Sequence, residues 1–153
     1  DTIRLLTNYN ACLFNMANLY LRNGDEEKAD EFIAKLKSFP HDNPAGYRML
    51  IALSEMKRDW QAAVDYTDSA MTIEPDNQDH YIRKAEYYRR LGSYEDVESV
   101  VEKMTAAFPN NAEVADAARI LNRQVAAARA EPAPETAEAG ANGGASPGGD
   151  GGQ

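Results

Sequence analysis

The stretch Gly92-Ser93-Tyr94-Glu95-Asp96-Val97 decides the reading of this 153-residue chain, because its pattern occurs twice more at a fixed interval. Thirty-four residues earlier stands Arg58-Asp59-Trp60-Gln61-Ala62-Ala63, and thirty-four before that Gly24-Asp25-Glu26-Glu27-Lys28-Ala29. Each reads as a tight turn between two helices. A residue in the left-handed slot ends one helix, an oxygen-bearing side chain caps the next, and an apolar residue four positions on faces its core.

Working outward, Ile3, Leu6, Leu13, Met16, Ala17, Tyr20 and Leu21 recur mostly at three- and four-residue steps, the pattern of an amphipathic first helix ending at Gly24. Asp25 caps a second, with Ala29, Phe32, Ile33 and Leu36 inside, stopped by Phe39-Pro40. Asn43-Pro44 opens a third whose inner face is Tyr47, Leu50, Ile51 and Ser54. Asp59 caps a fourth with Ala63, Tyr66, Thr67, Ala70 and Ile73, ending at Pro75. Asn77 caps a fifth bearing Tyr81, Ala85, Tyr88 and Leu91, and Ser93 a sixth bearing Val97, Val100, Val101 and Met104, closed by Phe108-Pro109. Asn111 caps an Ala-rich seventh, from about Ala112 to Arg129, with Val114, Ala118, Leu121 and Val125 opposite Arg119, Asn122, Arg123 and Arg129. Arg58 occupies the slot of Gly24 and Gly92, so a positive φ there predicts a strain of roughly 1 kcal/mol relative to glycine.

The interval of 34 holds column by column: Asn43, Asn77 and Asn111; Ala29, Ala63 and Val97; Ala17, Ile51 and Ala85; Tyr20, Ser54 and Tyr88; Leu13, Tyr47 and Tyr81; Pro75 and Pro109. In the first unit Pro40 comes one position early and His41 holds its slot. On these residues the chain resembles the tetratricopeptide repeat family, whose 34-residue helix-turn-helix units carry small residues where helices cross and Pro at the end. The resemblance implies an all-α, right-handed α-solenoid of three repeats, at about 10–43, 44–77 and 78–111, with 112–129 as a C-terminal capping helix. Residues 1–130 are the expected repeat domain. Residues 131–153, rich in Pro, Ala and Gly, hold four acids and no base, and are expected to be a disordered acidic tail because they carry too little apolar surface to offset the entropy of ordering.

The family uses its concave groove to hold peptides or partner segments. The resemblance therefore implies a groove formed by Phe14, Asn15, Asn18, Leu21 and Arg22 in the first repeat. In the second it implies Arg48, Met49, Ala52, Glu55 and Met56, and in the third Ile82, Arg83, Glu86, Arg89 and Arg90. Such a groove is apolar and amide-rich at its start and guanidinium-rich at its end. Guanidinium suits carboxylates and Met suits varied apolar contacts, so the expected partner is a protein or peptide segment with apolar anchors and nearby acids. The five-residue Lys/Asn/Asn/Lys/Arg clamp of one subtype is not intact: Asn18 and Arg83 hold two of its phases, while Phe14, Met49 and Asp79 hold the others.

Composition excludes other classes. The formal charge is −9, and −5 over residues 1–130, which argues against nucleic-acid binding. No apolar run approaches the ~20 residues of a membrane span, although a parent chain with a span is an expectation, since this one begins at Asp1. The lone Cys12 allows no internal disulfide and is expected to pack in the first helix. No phosphate loop, nucleophile elbow or HExxH occurs, so no enzyme activity, cofactor or metal is expected. His41 and His80 read as exposed polar residues, Glu26-Glu27 and Asp30-Glu31 as solvated faces, and Trp60 and Tyr94 as packing aromatics rather than a ligand cage.

Tyr9 stands in the column of the capping asparagines, so the first helix is expected to run upstream toward Thr2. Asp1-Thr-Ile-Arg-Leu-Leu-Thr-Asn-Tyr9, Ala17-Asn-Leu-Tyr20 and Gly24-Asp-Glu-Glu-Lys-Ala29 give residues 1–36 a second resemblance, to the C-terminal soluble region of bacterial multi-pass glycosyltransferase-like membrane proteins. The two expectations are thus a partner-holding module, as an adaptor or accessory domain, and a domain that stabilises such an enzyme or its oligomer. A cytoplasmic or periplasmic bacterial setting is expected, and an uncapped first helix adds self-association as an expectation.

Overall fold

The computed structural model describes residues 2–38 and 44–130. Ile3's side chain, Phe39-Pro40, His41, the Asn43 cap and the expected tail at 131–153 lie outside the described residues. Among the described residues seven helices follow in order: α1 (Thr2–Arg22), α2 (Glu26–Lys37), α3 (Pro44–Lys57), α4 (Trp60–Ile73), α5 (Gln78–Leu91), α6 (Tyr94–Ala107) and α7 (Ala112–Ala130).

The three matching turns behave as their sequence requires. Gly24 and Gly92 both have φ +75° and Arg58 takes φ +56° in the same slot. A Cβ at either glycine would meet nothing within 4 Å, so glycine is needed there for its backbone conformation and not for space. Asp25 Oδ1 accepts from the Lys28 N–H at 3.2 Å and Asp59 Oδ1 from the Ala62 N–H at 3.0 Å. Asn77 accepts from the Asp79 N–H at 3.1 Å, and Asn111 from those of Glu113 and Val114 at 3.0 and 3.2 Å. Ser93 makes no side-chain cap bond; its carbonyl accepts from the Val97 N–H.

Among the described residues each helix packs only on helices one or two places away in the chain, so the array is a solenoid with successive cores. The first core joins Leu13 and Ala17 of α1, Ile33 and Leu36 of α2, and Leu50 and Leu53 of α3. The second joins Ile51 of α3, Ala63, Val64 and Ala70 of α4, and Tyr87 of α5. The third joins Ala85 of α5, the valines and Met104 of α6, and Val114, Ala118, Leu121 and Val125 of α7. Trp60 stacks on Tyr87 with ring centroids 6.3 Å apart, and Tyr94 packs against the third core.

The spacing between repeats is uneven. α1 approaches α3 directly and α5 approaches α7, yet among the described residues no Cα of α3 comes within 8 Å of one of α5. Instead α5 lies closely along α4. A gap is left between the first helices of the second and third pairs.

Several expected core residues are outside. Ile73 and Leu91 are 37% and 39% exposed because each is the last residue of its helix, where the chain turns away before a neighbour covers it. Leu6 is 39% exposed: the 12-residue α2 is about 13 Å shorter than the 21-residue α1 and leaves the first turns of α1 uncovered. Cys12, expected to pack, is exposed. His80, expected to be exposed, is 4% exposed, since a carboxylate partner is available to satisfy its ring.

Candidate functional site

The predicted partner-binding residues sit on one helical phase of α1, α3 and α5. α1 carries Phe14, Asn18 and Leu21 half-buried, with Asn15 and Arg22 exposed. α3 carries Met49, Ala52 and Glu55 half-buried, with Arg48 and Met56 exposed. α5 carries Ile82, Glu86 and Arg89 half-buried, with Arg83 and Arg90 exposed. Phe14, Leu21 and Met49 rest on the first core and Ile82 on the third. α7 adds a residue the sequence reading stopped short of: Ile120, 53% exposed, thirty-four positions after Glu86.

The gap between α3 and α5 forms a cleft of about 550 Å³ lined by Arg48, Ile51, Ala52 and Glu55 on one wall and Asn77, Asp79, His80 and Arg83 on the other. Sequence reading had singled out Arg48, Ala52, Glu55 and Arg83 for the groove. It missed His80 and Asn77 as walls, because their facing depends on how α5 is set against α3, which the 34-residue phase does not carry.

Two polar clasps span this gap. At one end, Arg48 Nη2 reaches both oxygens of Glu74 at 2.8 and 3.0 Å. The same carboxylate lies 3.0 Å from His80 Nε2 and accepts from Asn77 Nδ2 at 3.3 Å. Arg48 first, and then His80, hold the Glu74 carboxyl below the usual glutamate range. At the other end, Arg83 Nη1 donates to Glu55 Oε1 at 3.3 Å, and the Tyr87 hydroxyl donates to the same oxygen. Tyr87 is 3% exposed; burial, and next the Glu55 carboxylate, push its phenol up to about 12.

Farther along α5, Arg89 grips Glu86 through two bonds of 2.7 and 2.6 Å. Arg90 Nε lies 3.2 Å from Glu86, and its guanidinium stacks 4.7 Å from the Trp60 ring centroid. The arginines of the expected guanidinium-rich end are thus paired, Arg83 with Glu55, and Arg89 and Arg90 together with Glu86. Each of Arg48, Arg83, Arg89 and Arg90 is matched by a carboxylate of this chain. Among the described residues no group of three or more His, Cys, Asp or Glu is placed to hold a metal, and no helix is long and apolar enough to cross a membrane.

No family model matches the chain, and no curated protein matches it, so the resemblance of residues 1–36 to glycosyltransferase-like membrane proteins gains no support there. Solved structures do match. The chain is similar to the TPR domain of Arabidopsis OM64, 16% identical with a TM-score of 0.54, over 79% of this chain and 97% of that one. It is similar to the first TPR of Spaghetti (RPAP3) bound to the HSP90 peptide SRMEEVD, 18% identical with a TM-score of 0.53, over 78% and 94%. It is also similar to PcrH from Pseudomonas aeruginosa, 15% identical with a TM-score of 0.52, over 80% and 93%.

Proposed function

As a right-handed solenoid with the tetratricopeptide-repeat fold, this chain is, we propose, a protein-interaction module. It holds a segment of a partner protein along the shared face of α1, α3 and α5 and carries out no chemistry on it. The observation that carries this reading is the apolar set at the start of that face: Phe14, Leu21 and Met49, half-buried against the first core, with Met56 41% exposed beyond them. Side chains already seated on a core lose little further freedom when a partner covers them, so most of the apolar burial is available as affinity. A similar fold bound to a peptide, the SRMEEVD complex, supports this mode of use.

The test is site-specific photo-cross-linking in the native source. A photoreactive residue at Asn18 or at Met56 is expected to capture the same partner, and one at the exposed Lys103 of α6 is expected to capture none. Capture from Lys103 alone, or different products from Asn18 and Met56, rejects the reading.

A second reading rests on Leu5 and Leu6, 70% and 39% exposed on the stretch of α1 beyond α2. An accessory domain of a larger protein, such as a bacterial membrane glycosyltransferase-like protein, would bury these leucines against its parent chain, whereas self-association would bury them against a second copy. A cross-linker at Leu5 separates these outcomes from the first reading by the mass of what it captures.

A further inference from the structure

α1 differs from the other described helices in having no acidic residue, and from Leu5 to Leu21 it has no charged side chain at all. Its inward face is taken up by the fold, with Leu13 and Ala17 in the first core and Phe14 and Leu21 resting on it. A second apolar stripe, Leu5, Tyr9, Cys12, Met16 and Leu19, runs along another face at alternating steps of four and three, the spacing of a coiled-coil seam. Leu5 is 70% exposed, Tyr9 47% and Leu19 50%; Cys12 is exposed and Met16 half-buried. A solvated helix face carries charges, whereas the centre of a protein interface is depleted of them, and this stripe follows the second pattern. By helical phase it lies about a third of a turn or more from Asn18 and Leu21, so a cover over it leaves the partner-holding face open.

We propose that the stripe pairs with itself, α1 of one chain against α1 of a second copy, antiparallel and centred on Cys12. This rests on the second reading above and deepens it, by naming another copy as what covers Leu5. The spacing is its own complement. Leu5 and Leu19 each stand seven residues from Cys12, so Leu5 of one copy meets Leu19 of the other, while Tyr9 and Met16, three and four residues from Cys12, share a layer across the pair. The direction follows from the length of α2. Because α2 leaves the first turns of α1 uncovered, antiparallel pairing lays beside those turns the half of the second α1 that carries its own α2. Parallel pairing would set the two bare ends together and leave Leu6 exposed. At the other end of the array, α7 exposes Glu113, Asp116, Arg119 and Arg123, a face suited to solvent and not to a second copy. The seam from Leu5 to Leu19 is about 21 Å long and covers roughly 1,000 Å² in all, the lower edge of stable interfaces, so the pair dissociates on dilution.

The experiment uses the full chain and sedimentation equilibrium. A reversible dimer is expected. Leu5→Glu with Leu19→Glu is expected to raise its dissociation constant about tenfold or more, while Lys103→Glu on α6 leaves it unchanged. Both leucines are exposed, so the helical circular dichroism of the double variant should match that of the unaltered chain. Direction is read from two single-cysteine chains, Leu5→Cys and Leu19→Cys, each with Cys12→Ser, oxidised with diamide separately and mixed. A disulfide between positions 5 and 19 is expected to predominate in the mixture. Predominant 5–5 and 19–19 disulfides, a chain monomeric to about 1 mM, or a double variant that dimerises as before each overturns the proposal. If the chain is monomeric and the cross-linker at Leu5 captures a different protein, the second copy fails and the accessory-domain reading stands; if it captures nothing, both fail.

Discussion

Glu55 on α3 accepts a hydrogen bond from the hydroxyl of Tyr87 on α5, across a gap in which no Cα of one helix lies within 8 Å of the other. Side chains rather than backbone packing thus connect the two helices there. Tyr87→Phe keeps the ring on Trp60 and removes the hydroxyl that faces Glu55 and Arg83, so it is expected to lower stability by about 1–2 kcal/mol, read by chemical denaturation. The raised phenol has a matching alkaline signature. Stability held by neutral Tyr87 is complete below the ordinary tyrosine value of 10.0 and is lost as the pH rises toward about 12. A late step in the tyrosinate absorbance titration should vanish in Tyr87→Phe.

Arg58 holds φ +56° where the other two turns use glycine at +75°. Arg58→Gly is expected to stabilise the fold by about 1 kcal/mol. Gly24→Ala and Gly92→Ala should each cost a similar ~1 kcal/mol, although neither Cβ would touch anything. Thermal melts of the three variants check the set, and opposite signs are the required outcome.

The Glu86 carboxyl is held below its ordinary value of 4.5, by Arg89 first and then, after the opposing effect of burial, by the charges of Arg89 and Arg90. Glu74 is lowered likewise by Arg48. A lowered carboxyl contributes stability that is present in full above its unfolded value and is lost as the pH falls through its folded one. Melting temperature should therefore be flat from pH 7 to about 5 and fall below it. The double variant Glu74→Gln with Glu86→Gln should start lower at pH 7 and show a shallower acid limb.

Leu36 and Met104 are fully covered, in the first and third cores, whereas Leu19 is 50% exposed. Leu36→Ala and Met104→Ala are each expected to cost about 2–5 kcal/mol, and Leu19→Ala within about 0.5 kcal/mol of nothing. Denaturation midpoints check the contrast. A loss at Leu19 comparable to that at Leu36 would mean that α1 is covered by something further.

The helices, their turns and their caps were legible because each depends on residues a few positions apart. Asp59, Asn77 and Asn111 bond to amides two or three residues on, and Arg58 shows its strain in its own φ. The second faces of α3 and α5 were not. A single apolar stripe identified Leu50, Ile51 and Ala85 but not Leu53 or Tyr87, because these helices lie between two cores and are buried on two sides. His80 was misjudged for the same reason, its partner Glu74 lying in a turn whose path is set by how α5 docks on α4. The arginines were legible as a guanidinium-rich end, and the pairing of Arg89 and Arg90 with Glu86 follows from three- and four-residue spacing on one helix, while the pairing of Arg83 with Glu55 and of Arg48 with Glu74 depends on three-dimensional reach. The α3–α5 gap has no signature in a regular repeat, since it is a departure from regularity.

α3 contributes buried residues to the first and second cores and α5 to the second and third, whereas the buried residues of α1, α2, α4, α6 and α7 each fall in one. In mechanical terms α3 and α5 are the pins of a jointed chain. Tension applied along the array passes from α3 to α5 through α4, which packs closely on both, and through the side chains that bridge the gap between them. The face proposed to hold a partner crosses that joint, where its width is kept by the reach of Arg48, Arg83 and Tyr87 to their glutamates and not by α3 touching α5.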